Sequence, residues 1–351
     1  MHPSTSISYV IDPRFSGGTS SAIASELKVV SQFGHVTIHA ISSEMFKGKF
    51  IAQNLRDTLR ELGLKVIWDA PTIHADIVLL HNPSFLKFQS SLNSKIITKH
   101  LIIVTHENFL RPGQIEAFDV SKCLGAIDRA TLALRKSIAP ISPYNRNAVT
   151  DWMKLHPQTT GWNILKSDWF NICEFQMIPP TAKPADRRGR LSRPGFEKFP
   201  SMADMDICFP SHSESNVILG ADMFLQNKLY RPHWDMLPFQ SVDVARFFEM
   251  IDFMIYYTAP TWRESFGRVL AEAIAAGKLV ISDQETASVF QGAVLPAQPI
   301  GIDAIVSKFV ANPTLYQKHV IKAQKGLAAF SSKAFEKHFQ IILDEMVEVP
   351  A

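Results

Sequence analysis

This sequence of 351 residues has few cysteines, no large excess of one charge and no long apolar run. The three cysteines, Cys123, Cys173 and Cys208, are widely separated and form no Cys-x-x-Cys pair, which argues against a disulfide framework and a structural zinc site. This usage predicts a reducing, cytoplasmic location. The 36 Lys and Arg residues nearly balance the 33 Asp and Glu residues. The net charge is therefore too small to attract nucleic acid to the whole protein, and no nucleic-acid partner is expected.

The apolar runs are too short to cross a membrane. Those at 77–80 and 101–104 fall far below the roughly 18 residues that a span requires. The first six residues carry no basic segment, and the apolar run at 7–11 is too short for a signal peptide. The sequence therefore predicts a soluble protein that associates at most peripherally with the inner face of a membrane.

Short runs rich in Val and Ile alternate with amphipathic stretches along the chain. Such runs are typical of buried parallel strands, and the stretches between them can supply crossover helices. In the first half, strands are predicted at 8–12, 35–40, 65–69, 76–81 and 100–105, and helices at 19–32, 51–62 and 120–137. In the second half, strands are predicted at 206–209, 216–220, 236–239, 253–257 and 279–282, and helices near 242–250 and 268–276. Both halves are therefore predicted to be open α/β domains.

The strand and helix signals stop near residues 178–188. Prolines at 179, 180 and 184 break regular structure there, which predicts an interdomain linker. We expect a first domain over 1–174, a second over 175–333 and a terminal amphipathic helix within 334–351.

The segment 256–283 combines a strand, a polar loop, a helix and a second strand. Within it, the helix is expected to begin near Ser265 and to end at Gly277. The amides of Ser265, Phe266 and Gly267 would face a phosphate at the helix N-terminus. Glu264 at the loop and Glu272, about two helical turns deeper, could bind two ends of one hydroxyl-rich ligand. The alternative is that both glutamates are ordinary helix residues, one at the start and one in solvent.

The run ESFGRVLAEAIAAG, at 264–277, closely resembles the Glu-x7-Glu signature of retaining glycosyltransferases of the GT-B fold, especially family 4. The resemblance implies that Glu264 contacts the donor sugar and Glu272 the ribose. It further implies two Rossmann-like domains facing across a cleft, with the terminal helix packing back on the first. The reaction implied is glycosyl transfer with retention, with the diphosphate leaving on the front face.

Residues 189–200 look like the Gly-Arg…Lys segment of the same family. There Arg190 and Lys198 would neutralise the diphosphate of a nucleotide sugar. Where no metal ion is bound, cationic side chains and backbone amides must balance the charge of the diphosphate. Replacing either by Ala is expected to weaken nucleotide binding and to leave the fold intact. A solvated basic linker is the alternative interpretation.

The first half contributes a loop and two histidines. Gly17 and Gly18 follow the first predicted strand, where glycine lets backbone approach a ligand, and the resemblance places such a loop beside the donor phosphates. His81 and His106 each follow a strand at the expected ligand edge. His106 is favoured as a catalytic residue near the donor sugar, because transferases of the family that this sequence resembles often have a histidine there. Glu107 is an alternative base.

Asp204 and Asp206 superficially match an Asp-x-Asp metal motif. The pair precedes its predicted strand and no second ligand cluster accompanies it, so a turn in solvent is expected, with no metal and no cofactor. The expected donor is a UDP- or GDP-sugar and the acceptor a glycan, a lipid-linked sugar or a polysaccharide precursor. A nucleotide-sugar epimerase or hydrolase of the same fold, or a non-catalytic nucleotide-sugar-binding module, remains open.

Overall fold

The computed structural model describes residues 5–157 and 161–347. The chain divides into two compact units, one of Met1–Ile172 with Phe330–Ala351 and one of Cys173–Ala329. The domain boundaries predicted after 174 and 333 lie a few residues further along the chain and stay a prediction.

The first unit is built on a seven-stranded parallel sheet in the order β3-β2-β1-β4-β5-β8-β9. Its strands are β1 (Thr5–Ile11), β2 (Gly34–Ala40), β3 (Val66–Trp68), β4 (Thr72–His81), β5 (Lys95–Thr105), β8 (Thr131–Pro140) and β9 (Asn163–Ile164), with a small antiparallel pair β6 (Leu110–Arg111) and β7 (Ile115–Glu116). Residues 77–80 and 101–104 are fully buried, as expected of parallel strands covered on both faces.

Within the described residues, five α-helices belong to this unit. They are α1 (Gly18–Val30), α2 (Gln53–Glu61), α3 (Val120–Ala130), α4 (Pro143–Leu155) and, from the end of the chain, α12 (Ser332–Val347). Phe339 of α12 packs on Phe33 and Trp169, with ring centroids 5.3 and 5.9 Å apart. The predicted return of the terminal helix to the first domain is thus confirmed.

The second unit contains a six-stranded parallel sheet in the order β12-β11-β10-β13-β14-β15. Its strands are β10 (Arg187–Leu191), β11 (Ser215–Leu219), β12 (Asp235–Leu237), β13 (Phe253–Tyr256), β14 (Leu279–Ser282) and β15 (Val294–Pro296). Its helices are α5 (Met202–Cys208), α6 (Asp222–Gln226), α7 (Val244–Glu249), α8 (Arg268–Ala275), α9 (Gln284–Ser288), α10 (Ile302–Val310) and α11 (Pro313–Gly326).

Two predicted elements are wrong. The helix expected over 120–137 ends at Ala130, and the chain passes directly into β8. The strand expected over 206–209 is instead the end of α5, because Met205 and Cys208 bury one helical face and Ser201 caps the helix by accepting from the Asp204 amide at 3.1 Å.

Both sheets follow the Rossmann strand order, with the reversal between β1 and β4 in the first and between β10 and β13 in the second. Ligands of open α/β sheets bind outside the carboxyl ends of the strands at such a reversal. The loops after β1, β4, β10 and β13 therefore hold the candidate binding residues. Within the described ranges, no helix is long and apolar enough to cross a membrane.

Candidate functional site

An ion pair joins the loops that follow β10 and β13. The Lys198 ammonium lies 2.7 Å from Glu264 Oε1, and the Tyr256 hydroxyl donates to the same oxygen at 2.6 Å. Lys198 also lies over the Trp262 ring, 5.0 Å from its centroid. The strand reversal in the second sheet thus brings together two of the residues that the sequence singled out.

The surroundings of Glu264 keep it ionised. Burial would raise the pKa of this carboxyl, but Lys198 and the Tyr256 hydroxyl outweigh burial and bring the pKa below its ordinary value. Burial raises the pKa of Tyr256 well above its usual range, with Glu264 adding to the effect, so the phenol stays a donor. The site presents an oriented anion, 17% exposed, that can accept hydrogen bonds from ligand hydroxyls.

Arg190 is buried inside the second unit, not exposed to a diphosphate as the sequence predicts. The guanidinium is fully buried and donates to the carbonyls of Tyr257, at 2.7 Å, and of Lys198. It stacks on the Phe199 ring, 4.1 Å from the centroid, and burial lowers its pKa to about 10. Because nothing outside the protein can reach this group in the observed conformation, Arg190 supports the backbone around Lys198. Its position does not fit the direct phosphate contact expected from the sequence.

Arg193 is the cation of this loop that sequence reasoning passed over. Its side chain is 64% exposed and lies 4.0 Å from Glu197 Oε1. It also lies close enough to Glu264 to help lower the pKa of that carboxyl. The neighbouring Arg187 and Arg188 are by contrast held by ion pairs within the unit. Exposure, and not charge alone, separates Arg193 from the arginines around it, and exposure was not readable from the sequence.

The loop after Glu264 enters α8 through a left-handed glycine. The helix begins at Arg268, not near Ser265, and Gly267 occupies its N-cap position with φ 84°. Phe266 is buried against Phe290 at 5.6 Å, whereas Ser265 is partly buried in the loop. The amides of 265–267 therefore precede the helix, and any ligand contact they make comes from the loop.

Glu272 lies one helical turn into α8, so the expected separation of two turns from Glu264 is wrong. Its Oε1 is 3.4 Å from Arg268 Nε, and its side chain is 28% exposed. Burial raises the pKa of Glu272 above its ordinary value, against the opposing effect of Arg268. Glu272 is a partly exposed acceptor that a ligand hydroxyl can reach.

In the first unit, Gly17 and Gly18 form the exposed start of α1. Gly17 has φ 96°, which favours glycine, and α1 begins at Gly18 with no side-chain cap among the described residues. The preceding turn is anchored by a buried ion pair, in which Arg14 binds Asp12 at 2.7 Å. The first amides of α1 can therefore face a phosphate from a rigid loop.

His81 and His106 come together at the carboxyl ends of β4 and β5. His81 Nδ1 lies 3.0 Å from His106 Nε2, and the rings stack with centroids 5.3 Å apart. Burial, followed by the charge of His81, holds the pKa of His106 well below its ordinary value, so this imidazole is neutral. Glu107 beside it is partly exposed.

Asp204 and Asp206 both lie on α5, not in a turn. Asp206 accepts two hydrogen bonds of 2.8 Å from Arg231, which occupies both of its oxygens. Within the described residues no group of three or more His, Cys, Asp or Glu side chains is placed to hold a metal ion.

Several solved glycosyltransferases are similar in structure to this chain. HepE of Anabaena, in complex with UDP and glucose, has a TM-score of 0.66 at 14% identity, covering 97% of this chain and 100% of that one. A glycosyltransferase of Rickettsia africae has a TM-score of 0.59 at 14% identity, and the pneumococcal O-GlcNAc transferase GtfA, with UDP and GlcNAc, 0.57 at 11%; each comparison covers 99% of this chain and 100% of the other.

No protein-family model and no curated protein matches the sequence. At these identities the structural likeness shows the fold alone. Together with the two sheets, it confirms the predicted GT-B fold of two Rossmann-like domains.

Proposed function

We propose that this chain is a glycosyltransferase that uses a UDP-sugar, with a donor site similar to that of glycosyltransferase family 4. The observation that carries the proposal is the Glu264 carboxylate, held by Lys198 and Tyr256 at the strand reversal of the second sheet. The preference for UDP is supported by the UDP complexes of HepE and GtfA.

In this proposal Glu264 accepts hydrogen bonds from the donor sugar, and Glu272 accepts from the ribose. Lys198 and Arg193 neutralise the diphosphate, together with the loop amides of 265–267. The amides at Gly17 and Gly18 are a separate phosphate-binding candidate of the first unit. Charge-assisted contacts of this kind stabilise the departing diphosphate more as its charge develops. Leaving-group electrostatics would thus drive most of the catalysis.

The proposed reaction retains the anomeric configuration. The bond from the anomeric carbon to the diphosphate oxygen breaks, and UDP takes the bonding electrons. The acceptor oxygen attacks from the same face and gives its proton to the departing diphosphate oxygen. A glycan, a lipid-linked sugar or a polysaccharide precursor is the proposed acceptor, and His106 is the candidate catalytic residue of the first unit. No metal takes part in the proposal.

Thermal unfolding with UDP-, GDP- and ADP-sugars tests the donor assignment. A ligand at about 100 times its Kd adds roughly 2.7 kcal/mol of stability, so a UDP-sugar should raise the unfolding temperature while GDP- and ADP-sugars do not. Arg193→Ala should weaken UDP binding about tenfold, since an exposed charge-assisted contact is lost. Arg246→Ala is the matched control, because Arg246 is an exposed arginine on α7 paired with Glu249 at 2.7 Å.

The proposal is contradicted if no nucleotide sugar shifts the unfolding transition. Equal loss of UDP affinity in both arginine variants would instead mean that general charge, not the Arg193 position, governs binding.

A further inference from the structure

Two charged side chains of α8 lie partly exposed on one face of the helix. Arg268 is the first residue of α8 and Glu272 follows four residues later, so the two are neighbours on the helix surface. Arg268 Nε lies 3.4 Å from Glu272 Oε1, and the side chains are 23% and 28% exposed. Apart from Val269, the other residues of α8 are buried. The pair therefore lies on the part of α8 that a ligand can reach.

This pair is poorly placed to stabilise the helix. A cation near a helix N-terminus opposes the helix macrodipole. A basic residue four positions before an acidic one also gives a weaker pair than the reverse order. Partly exposed ion pairs contribute little to folding in general. The stability of α8 therefore does not account for an arginine at position 268.

An aromatic ring fixes the guanidinium group of Arg268. The guanidinium carbon lies 4.7 Å from the centroid of the Phe175 ring. Phe175 belongs to the second unit, as α8 does, and is partly buried. A guanidinium group stacked on a ring presents its N–H groups in a fixed plane. Arg268 can therefore hold the carboxylate of Glu272 in one orientation.

The charge of Glu272 depends on Arg268. Within the described residues, Arg268 is the one ion-pair partner of Glu272. Burial raises the pKa of Glu272, and the charge and N–H groups of Arg268 oppose that rise. The buried thiol of Cys173 also lies near Glu272, but burial raises the pKa of this thiol to about 12, so it is neutral near neutral pH. Loss of Arg268 would therefore raise the pKa of Glu272 further.

We propose that Arg268 is a positioning residue, which holds the Glu272 carboxylate charged and oriented to accept hydrogen bonds from the ribose hydroxyls of the bound nucleotide. The inference rests on the proposed glycosyltransferase function for its ribose. In this account Arg268 acts on the nucleotide only through Glu272.

A double-mutant cycle separates positioning from direct contact with the nucleotide. Arg268→Met keeps a side chain that packs well on Phe175 and removes the charge. In calorimetry near neutral pH, we expect Arg268→Met to weaken UDP binding about fivefold and Glu272→Gln about tenfold, with the double variant within about twofold of Glu272→Gln. An arginine that touched the diphosphate would instead add its own loss to that of Glu272→Gln. Arg246→Met is the control, because Arg246 pairs with Glu249 on α7 and should leave UDP binding unchanged.

The pH dependence of UDP-glucose binding is a second readout, which a purely structural role would not change. Binding should weaken as the pH falls and Glu272 takes up a proton, and in Arg268→Met this loss should begin at a higher pH than in wild type. Glu264 titrates at lower pH, because its pKa lies below its ordinary value. UDP-glucose is the probe because its diphosphate is esterified at both ends and does not titrate near neutral pH.

Additive losses in the cycle would overturn the inference, and so would a pH profile that Arg268→Met leaves unchanged. Arg268→Met should also unfold at no lower a temperature than wild type, since the cation is unfavourable at this end of the helix. A marked loss of stability would mean that Arg268 supports the fold instead, and would overturn the inference as well. A wild type that binds neither UDP nor UDP-glucose would contradict the proposed function, and the ribose-directed role of Arg268 with it.

Discussion

At the scale of single residues, the sequence predicted side chains that the structure brings together, but it did not predict their contacts. Glu264 and Lys198 were chosen from separate motifs 66 residues apart, and the fold places their charged groups 2.7 Å apart. Arg190 was chosen with Lys198 for the same role, yet it is fully buried. The difference could not be read from the sequence, because both residues occupy a segment rich in basic residues and both are buried. Only the fold gives Lys198 a carboxylate partner and gives Arg190 two backbone carbonyls.

The burial of Arg190 leads to an expectation that differs from that of an exposed phosphate ligand. Arg190→Met removes the donors of two buried carbonyl groups, so it should lower the free energy of unfolding by roughly 2–4 kcal/mol. Urea unfolding measures this change. Arg193→Met should stay within about 0.5 kcal/mol of wild type, as exposed positions usually do. Equal stability of the two variants would contradict the supporting role of Arg190.

At the scale of helices and strands, the errors have local physical causes. The central strand β10 is not predicted, and its first two residues, Arg187 and Arg188, fall within the predicted linker. Their charges are neutralised by Asp252, Asp186 and Asp303 only in the folded unit. The passage from α3 into β8 was missed because apolar residues continue without a turn signal. The long buried strands, by contrast, were predicted well, since their runs of Val, Ile and Leu leave few alternatives.

The start of α8 depends on the left-handed conformation of Gly267. Gly267→Ala should destabilise the protein by about 1–2 kcal/mol, because φ 84° is unfavourable for alanine and the new Cβ would lie 3.2 Å from Leu270 Cδ1. It should also weaken UDP binding through the 264–267 loop. Gly301→Ala is the control, since Gly301 is also an N-cap glycine but has φ −89° and open space around its Cβ position. Thermal unfolding of both variants distinguishes backbone strain from the mere addition of a methyl group, and equal effects would exclude strain.

At the scale of the whole molecule, two features of the sequence predict the GT-B fold: a short motif and the alternation of strands and helices. The alternation indicated open α/β domains, but neither the strand order nor the packing of α12 on the first unit follows from that alternation. Strand order depends on contacts between distant segments, which local sequence patterns do not encode. Family resemblance supplied that missing long-range information.

Metal removal tests the charge balance proposed for the whole donor site. Activity should survive excess EDTA, because Lys198, Arg193 and backbone amides are proposed to neutralise the diphosphate. Turnover of UDP-glucose with and without EDTA is the measurement. Loss of activity that manganese restores, combined with inactivity of Asp206→Ala, would reinstate the Asp204 and Asp206 pair as a metal site.

The central claim is that Glu264 and Glu272 bind different parts of one UDP-sugar, and calorimetry of UDP and UDP-glucose with Glu264→Gln and Glu272→Gln tests it most directly. A hydrogen bond to a charged group contributes roughly 1.5–3 kcal/mol, so each lost contact should weaken binding tenfold or more. Glu272→Gln should weaken binding of both ligands, since both contain the ribose. Glu264→Gln should spare UDP and weaken UDP-glucose alone. Equal weakening of UDP by the two variants would contradict this division, and unchanged binding of both ligands by both variants would contradict the donor site itself.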